Sequence, residues 1–244
     1  MDFEKELQRM PSHQVFSSED VFKVFLQTDP HLGRALFLKR FAQLTQAGHF
    51  ARVGRDAYVL NEGKRVSYRY APSPKGEALL AGLLRHYPQM KAVLFESVQY
   101  NEFVNHLFAH NTIFLSIPRA FGADVFEALK GDYDALLLFP NVQTYTRYWR
   151  EDSIVITPLL SEAPLGKETP HQACLEKILV DSFASPLLEE SLSVSEWPAL
   201  FTEAFARYII DEDTLFRYAR RRHCEEKLLH FIQEQTSIRL WTKR

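Results

Sequence analysis

Cysteine is scarce in this chain: 244 residues contain only Cys174 and Cys224, 50 positions apart. Disulfide-stapled secreted folds carry closely spaced sets instead, so both are expected as free thiols in a reducing compartment, the cytoplasm. Long apolar runs are missing too. None approaches the roughly 20 residues of a membrane helix, and the N-terminus lacks a signal-peptide core, so no membrane partner is expected. Phosphate and cofactor loops are absent: there is no G-x-x-x-x-G-K-[ST], no G-x-G-x-x-G and no G-x-S-x-G. His171, Cys174, His223 and Cys224 match no standard structural zinc spacing. Neither cofactor nor metal is expected.

The composition itself is ordinary for a globular chain, 46% hydrophobic and 25% charged, and its length suits one large domain or two smaller ones. Positive charge is unevenly placed. The net charge is −2, yet residues 30–76 hold 9 lysines and arginines against 2 acids, while residues 77–244 hold 17 against 23. A basic segment in an otherwise acidic chain suggests a polyanion partner.

That segment contains the most specific pattern in the sequence. Asp29 and Pro30 suit the start of a helix, as N-cap and first-turn proline. Phe37, Phe41 and Leu44 recur at helical spacing, and Gly48 stands where a left-handed C-terminal residue is wanted. Residues 50–53 and 57–60 then flank Gly54-Arg55-Asp56, a short hairpin turn. Helix followed by ribbon reads as the recognition helix and wing of a winged helix-turn-helix. Residues 3–10 and the stretch after Ser17 or Ser18, with Asp20 in a capping box and Val21, Phe22 and Phe25 inward, supply the preceding helices. Opposite the apolar stripe lie His31, Ala35, Lys39, Ala42 and Gln46, with Gln43 beside them and Arg34 and Arg40 on the flanks. Small alanines permit close approach to a groove, cations reach phosphates, and glutamine can pair with a base edge. Arg52 and Arg55 on the wing, and Lys64 and Arg65 just beyond it, extend the expected contact with double-stranded DNA.

Residues 63–75 read as a basic linker, extended around 66–70, which places a winged helix at 1–62 and a second domain at 76–244. In the second domain short apolar runs at 92–95, 112–117, 134–139 and 154–157 alternate with helical stretches at 76–87, 100–108, 121–130 and 142–149. That is the signature of an α/β unit (α+β overall) with a small, partly parallel sheet. The last third is helical, at 172–183, 197–208, 214–224 and 225–235, with Asp213 as a candidate cap. In 218–223 one or two arginines are expected to pair with acids such as Asp181 or Glu176, and a second phosphate contact is conceivable there.

Two stretches carry enzyme-like letters. Gly122-Ala123 stands about ten residues before Asp132-Tyr133-Asp134, the layout of a nucleotidyltransferase in which a turn holds triphosphate and carboxylates hold metals. Ala123 lacks the hydroxyl that turn uses. Glu225-Glu226-Lys227 matches a nuclease triplet in letters only, because it falls on a helix. A non-enzymatic protein is expected, with a nucleotidyltransferase-like enzyme or a protein-interaction module as alternatives.

The ordered set LTQAGHFARVGRDAYVL, SIPRAF, ITPLLSEAPLG, CLEKILVDSF and TLFRYARRRH resembles the AbiEi-like antitoxins of type IV toxin–antitoxin systems, including relatives described as transcriptional regulators of viral defence. The resemblance spans nearly the whole chain. It implies a winged helix bound to the protein's own promoter and a C-terminal α/β domain needed for antitoxin action. It also implies a nucleotidyltransferase-type toxin encoded nearby and opposed without a stable complex. The opening helix and the basic linker match no feature of that group. Operator, toxin and oligomeric state are left open.

Overall fold

The computed structural model describes the chain apart from residues 1–6, 8–9, 12–13, 64, 106, 167–168 and 243–244. Of the expected opening helix at 3–10 only Leu7 and Met10 are described, both packed in the core, and the rest lies outside the described residues.

Helix α1 (Ser18–Thr28) starts on a complete capping box. Ser17 Oγ accepts from the Asp20 N–H at 3.1 Å, and the Asp20 carboxylate accepts from the Ser17 N–H at 2.9 Å. Helix α2 (Arg34–Gln46) begins later than Asp29-Pro30 suggests. Asp29 caps the end of α1, its carboxylate accepts from the His31 N–H at 3.1 Å, and Gly33 is the N-cap. Gly48 does end the helix at φ +83°, with His49 N–H bonded to the Leu44 carbonyl and Gly48 N–H to that of Thr45. That is a Schellman closure.

Strands β1 (Phe50–Gly54) and β2 (Ala57–Leu60) form the antiparallel ribbon, and Phe16 pairs with Tyr58 as a one-residue third strand. Helices and ribbon share a core of Phe16, Val21, Phe25, Leu32, Phe37, Phe41 and Phe50. Phe41 sits 5.5 Å from Phe37, 5.1 Å from Phe50 and 4.8 Å from Tyr58, ring centre to ring centre, so aromatic area makes up most of this small core.

The second unit is a three-layer sandwich. Strands β3 (Val93–Glu96), β4 (Thr112–Ile117), β5 (Leu136–Leu138) and β6 (Ser153–Pro158) lie in the order β3-β4-β6-β5, with β3 antiparallel and the others parallel. Alternate residues feed opposite cores. Leu94, Ile113, Leu115, Ile154 and Ile156 meet helices α3 (Pro74–His86) and α4 (Gly122–Leu129) on one face. Val93, Phe95, Phe114 and Val155 meet α5 (Val142–Tyr148) and the C-terminal helices on the other. Those helices are α6 (Leu175–Ala184), α7 (Pro186–Ser191), α8 (Trp197–Arg207), α9 (Glu212–Arg221) and α10 (Glu225–Gln235). The fold is thus mixed α/β with a partly parallel sheet and a helical C-terminal third. Two local expectations fail. The stretch 100–108 is a short 3₁₀ helix, Ser97–Glu102, followed by irregular chain. The cap of α9 is Asp211, whose carboxylate accepts from the Thr214 N–H at 2.9 Å, and not Asp213.

Between the units, residues 65–73 are fastened rather than loose. Val66 pairs with Tyr208, Tyr68 donates to Gln99 at 3.0 Å, and Tyr70 donates to Glu96 at 3.0 Å. Glu96 is wholly buried beneath them and also accepts from the Ser73 N–H (2.8 Å), the Ser73 hydroxyl (2.5 Å) and the Asn111 amide (2.9 Å). Four donors replace the hydration this carboxylate lost, which is the condition for burying it.

Candidate nucleic-acid interface

The face of α2 opposite Phe37 and Phe41 is open. Ala35, Lys39, Ala42, Gln43 and Gln46 are all exposed, as are Leu36 and Leu38 at 47% each. Within this set Ala35, Lys39 and Gln43 line up at i, i+4, i+8, one continuous stripe down the helix. The structure therefore brings Lys39, Gln43 and Gln46 together on one helix. It separates His31 from them, because His31 precedes the helix and lies exposed in the turn.

The expected arginines divide. Arg34 is paired with Glu19, and its guanidinium stacks 4.8 Å from the centre of the Phe22 ring. It closes α1 onto α2 as a cation–π clamp. Arg40 is half-buried and already engaged within the fold. Arg52 folds along the ribbon, with Nε donating to the Gly54 carbonyl at 3.0 Å. Arg55 is exposed at the wing tip, but its N–H donates to Asp213 of α9 at 2.6 Å. Arg65 is drawn into the seam between the units. Burial pulls its guanidinium below the usual arginine value, partly opposed by the charge of Glu212. Lys64 lies outside the described residues.

The wing is not a free flap. One face of the ribbon carries Phe50, Tyr58 and Leu60 into the helical core, while the other carries Ala51, Val53 and Val59 against Ile209 and Trp241 of the second unit. At Gly54 the approach is so close that a Cβ would stand 2.7 Å from Asp213 Oδ2 and 3.0 Å from Thr242 Cγ2. Any larger residue there would have to push the Asp213 and Thr242 side chains aside. Glu212, 1% exposed, holds the tail in place by accepting from the Trp241 N–H (2.9 Å), the Thr242 N–H (2.7 Å) and the Thr242 hydroxyl (2.9 Å). Sequence reasoning missed this seam. Its signal was present, because FARVG and AYVL are apolar on both alternating faces, which a solvent-facing ribbon does not need.

A cleft of about 710 Å³ lies along the seam. Leu38, Ala42, Thr45 and Gln46 of α2 form one wall, and Leu165, Cys174 and Glu176 are part of the other. One flank of the helix thus faces protein, whereas the Ala35–Lys39–Gln43 stripe faces solvent. Burial pushes the Cys174 thiol well above the ordinary cysteine range and the Cys224 thiol up to about 11. Neither cysteine is set up as a nucleophile.

The residues of the two enzyme-like patterns have the following surroundings. Gly122 opens α4 beneath the Phe139 ring, where a Cβ would lie 2.4 Å from Cε2. The glycine makes room for an aromatic ring. Asp132 and Asp134 are exposed in the loop before β5. Glu225 is held by Arg220 in a bidentate pair at 2.6 and 2.8 Å. Among the described residues no three histidines, cysteines or carboxylates are grouped to hold a metal. The pairing expected for the arginine run is present: Arg222 Nε lies 3.3 Å from Asp181 Oδ1.

No curated protein matches this chain. Among solved structures, the crystal structure of the RV2827C protein from Mycobacterium tuberculosis is similar over 97% of this chain and 81% of that one, at 11% identity and a TM-score of 0.27. At that level the similarity carries neither fold nor function across. The profile of a family described as one of unknown function, DUF6577, matches residues 36–238, from α2 through the ribbon and the sheet to just beyond α10. That span covers most of the chain, and by it the chain belongs to the DUF6577 family.

Proposed function

We propose that the protein is a non-enzymatic regulator that binds double-stranded DNA through α2. The observation that carries this is the exposed Ala35–Lys39–Gln43 stripe, with Gln46 beside it, on a helix whose opposite face is locked into a helix–helix–ribbon core. Small Ala35 lets the helix backbone approach a major groove, Lys39 meets phosphate, and Gln43 reads a base edge, with Gln46 at the margin of the cleft. The second unit walls the Leu38 side, so the duplex approaches from the Lys39 side. Arg55 contributes at the rim of the seam. The resemblance of the five ordered segments to AbiEi-like antitoxins extends the reading to autorepression at the protein's own promoter. It also makes the protein the antitoxin to a neighbouring nucleotidyltransferase-type toxin, opposed without a stable complex.

The test is a mobility-shift titration on the protein's own upstream region across a salt series. Affinity should fall steeply with salt as phosphate contacts release counterions. Replacing Lys39, Gln43 and Gln46 together by alanine should weaken binding by about 100-fold or more, with the melting temperature unchanged within a few degrees, because all three are exposed. Equal binding by that triple variant overturns the assignment of this face. Co-expression with the neighbouring toxin tests the antitoxin role separately, since rescue of growth needs no DNA measurement.

A further inference from the structure

Strands β4, β6 and β5 run parallel and end side by side, and beyond their carboxyl ends is a second cavity of about 410 Å³. In open α/β sheets this crevice is where ligands are held, and the volume suits a small molecule. Its floor is the in-register pair Ser116 and Thr157, with hydroxyl oxygens 2.9 Å apart. Two hydroxyls bonded to each other use one proton, and the other is left to donate. Phe95, Phe114, Ile178 and Leu188 give the cavity an apolar side.

The opposite side is charged. Asp181 of α6 is nearly buried and shared by three neighbours: Lys177 Nζ donates to Oδ2, the Tyr218 hydroxyl donates to Oδ1 at 2.9 Å, and Arg222 Nε stands 3.3 Å from Oδ1. Two cations face one carboxylate, an excess of one positive charge at the edge of a core. Donors are left over as well. Arg222 Nε is buried and makes no hydrogen bond, and Asp181 is the one ion-pair partner of Lys177 among the described residues. Buried polar groups are normally satisfied, so leftover donors beside an apolar cavity need a partner. An excess buried charge also carries a desolvation cost that an incoming anion removes.

We propose that this cavity binds a small organic monoanion, an apolar body bearing one carboxylate. The carboxylate sits on Arg222 and Lys177 within reach of the Ser116 and Thr157 hydroxyls, and the apolar body lies against Phe95 and Phe114. A single negative charge matches the excess of one. A bare phosphate would bring more charge and leave the apolar wall uncovered. The inference does not depend on DNA binding, because none of these residues lies on α2 or the ribbon.

The test is thermal shift and titration calorimetry on the full chain with benzoate, phenylacetate and octanoate as probes, and with benzamide and inorganic phosphate as controls. At least one carboxylate should raise the melting temperature by about 3 °C at tenfold excess over its Kd, while both controls leave it unmoved. Arg222→Gln should weaken binding of that carboxylate at least tenfold. Should that variant fold poorly through loss of its contact with Asp181, Thr157→Val on the opposite side supplies the same test, with a several-fold loss expected. No shift with any carboxylate, an equal shift with benzamide or with phosphate, or undiminished binding in the folded variants would overturn the proposal.

Discussion

The two units of this protein place their polar groups in opposite ways. From Phe16 to Leu60 the winged helix buries hydrophobic side chains and leaves its charges outside, and Asn61 at its border is the first buried polar residue of the described chain. The second unit buries Glu96, Lys177, Asp181, Glu196 and Glu212 along with several hydroxyls and the Gln99 amide. The difference follows from what each unit has to fix. The helix–ribbon unit has only a short helix pair and a ribbon to hold together, and an aromatic core does that while its charges stay solvated. A sheet that positions a fastened strap, a docked tail and a cavity needs directional contacts, and buried carboxylates with several donors supply them. The first unit is cohesive through area and the second is specified through hydrogen bonds.

Breaking the apolar backing should give the largest effect. Phe41→Ala removes an aromatic ring that contacts three others, at a cost of about 4 kcal/mol. Because the loss falls on the smaller core, calorimetry should show the winged helix melting in a separate, earlier transition. A single concerted transition would mean that the seam couples the units more tightly than their own cores hold them. Next comes the buried carboxylate. Glu96→Ala leaves four donors without an acceptor, and denaturant unfolding should register a loss of about 3 kcal/mol. The same truncation at exposed Lys39 should cost under about 0.5 kcal/mol, and equal losses at the two sites would erase the contrast.

A wedge at the seam should act more gently. Gly54→Val drives a side chain into Asp213 and Thr242 and breaks the Arg55–Asp213 hydrogen bond, an overpacking cost of about 2 kcal/mol. Small-angle scattering should show the two units parting while each keeps its own helicity.

The smallest effect concerns acid. The Ser17 hydroxyl, then its N–H, hold the Asp20 carboxyl below its ordinary 3.8. The folded value is depressed, so this stabilisation is present above about pH 4 and is lost as pH falls through the folded value. Asp20→Asn should flatten that acid limb of the stability profile and leave neutral stability within tenths of a kcal/mol. A limb of unchanged slope would remove the capping box from the account.

How far the fold could be read from the sequence depended on whether a residue had one use or two. Phe37, Phe41 and Gly48 admit one reading each, and they specify α2 and its end. The strands were legible as short unbroken apolar runs because both faces of the sheet are covered. Asp29-Pro30 fits a helix start and an Asx turn equally well, and the turn prevails through the contact with the His31 N–H. In 100–108 the Asn101 side chain bonds both the N–H (2.6 Å) and the carbonyl (3.1 Å) of Phe108, so side chain–backbone contacts replace a continuing helix. Asp211 and Asp213 both stand at the start of α9, and Asp211 caps it while Asp213, in its first turn, accepts from the wing tip. Of the candidate site, the α2 stripe was legible through periodicity. The withdrawal of Arg34 and Arg65 was not, because Glu19 and Glu212 lie at distant positions. The strand-end cavity was illegible for the same reason: Ser116, Thr157, Lys177 and Arg222 meet only once β4 and β6 pair.

The docked tail also has a consequence in time. The wing is made early, at residues 50–60, but the surface that covers its outer face includes Trp241 and Thr242, nearly 190 residues later. Domains generally fold as they leave the ribosome, N-terminal first. The winged helix can therefore form, and present α2, while Ala51, Val53 and Val59 are still exposed. The seam closes only after residues 241 and 242 have emerged. Until those two residues emerge the nascent chain thus carries a formed α2 with the outer face of the ribbon uncovered, and their arrival is what first closes the seam.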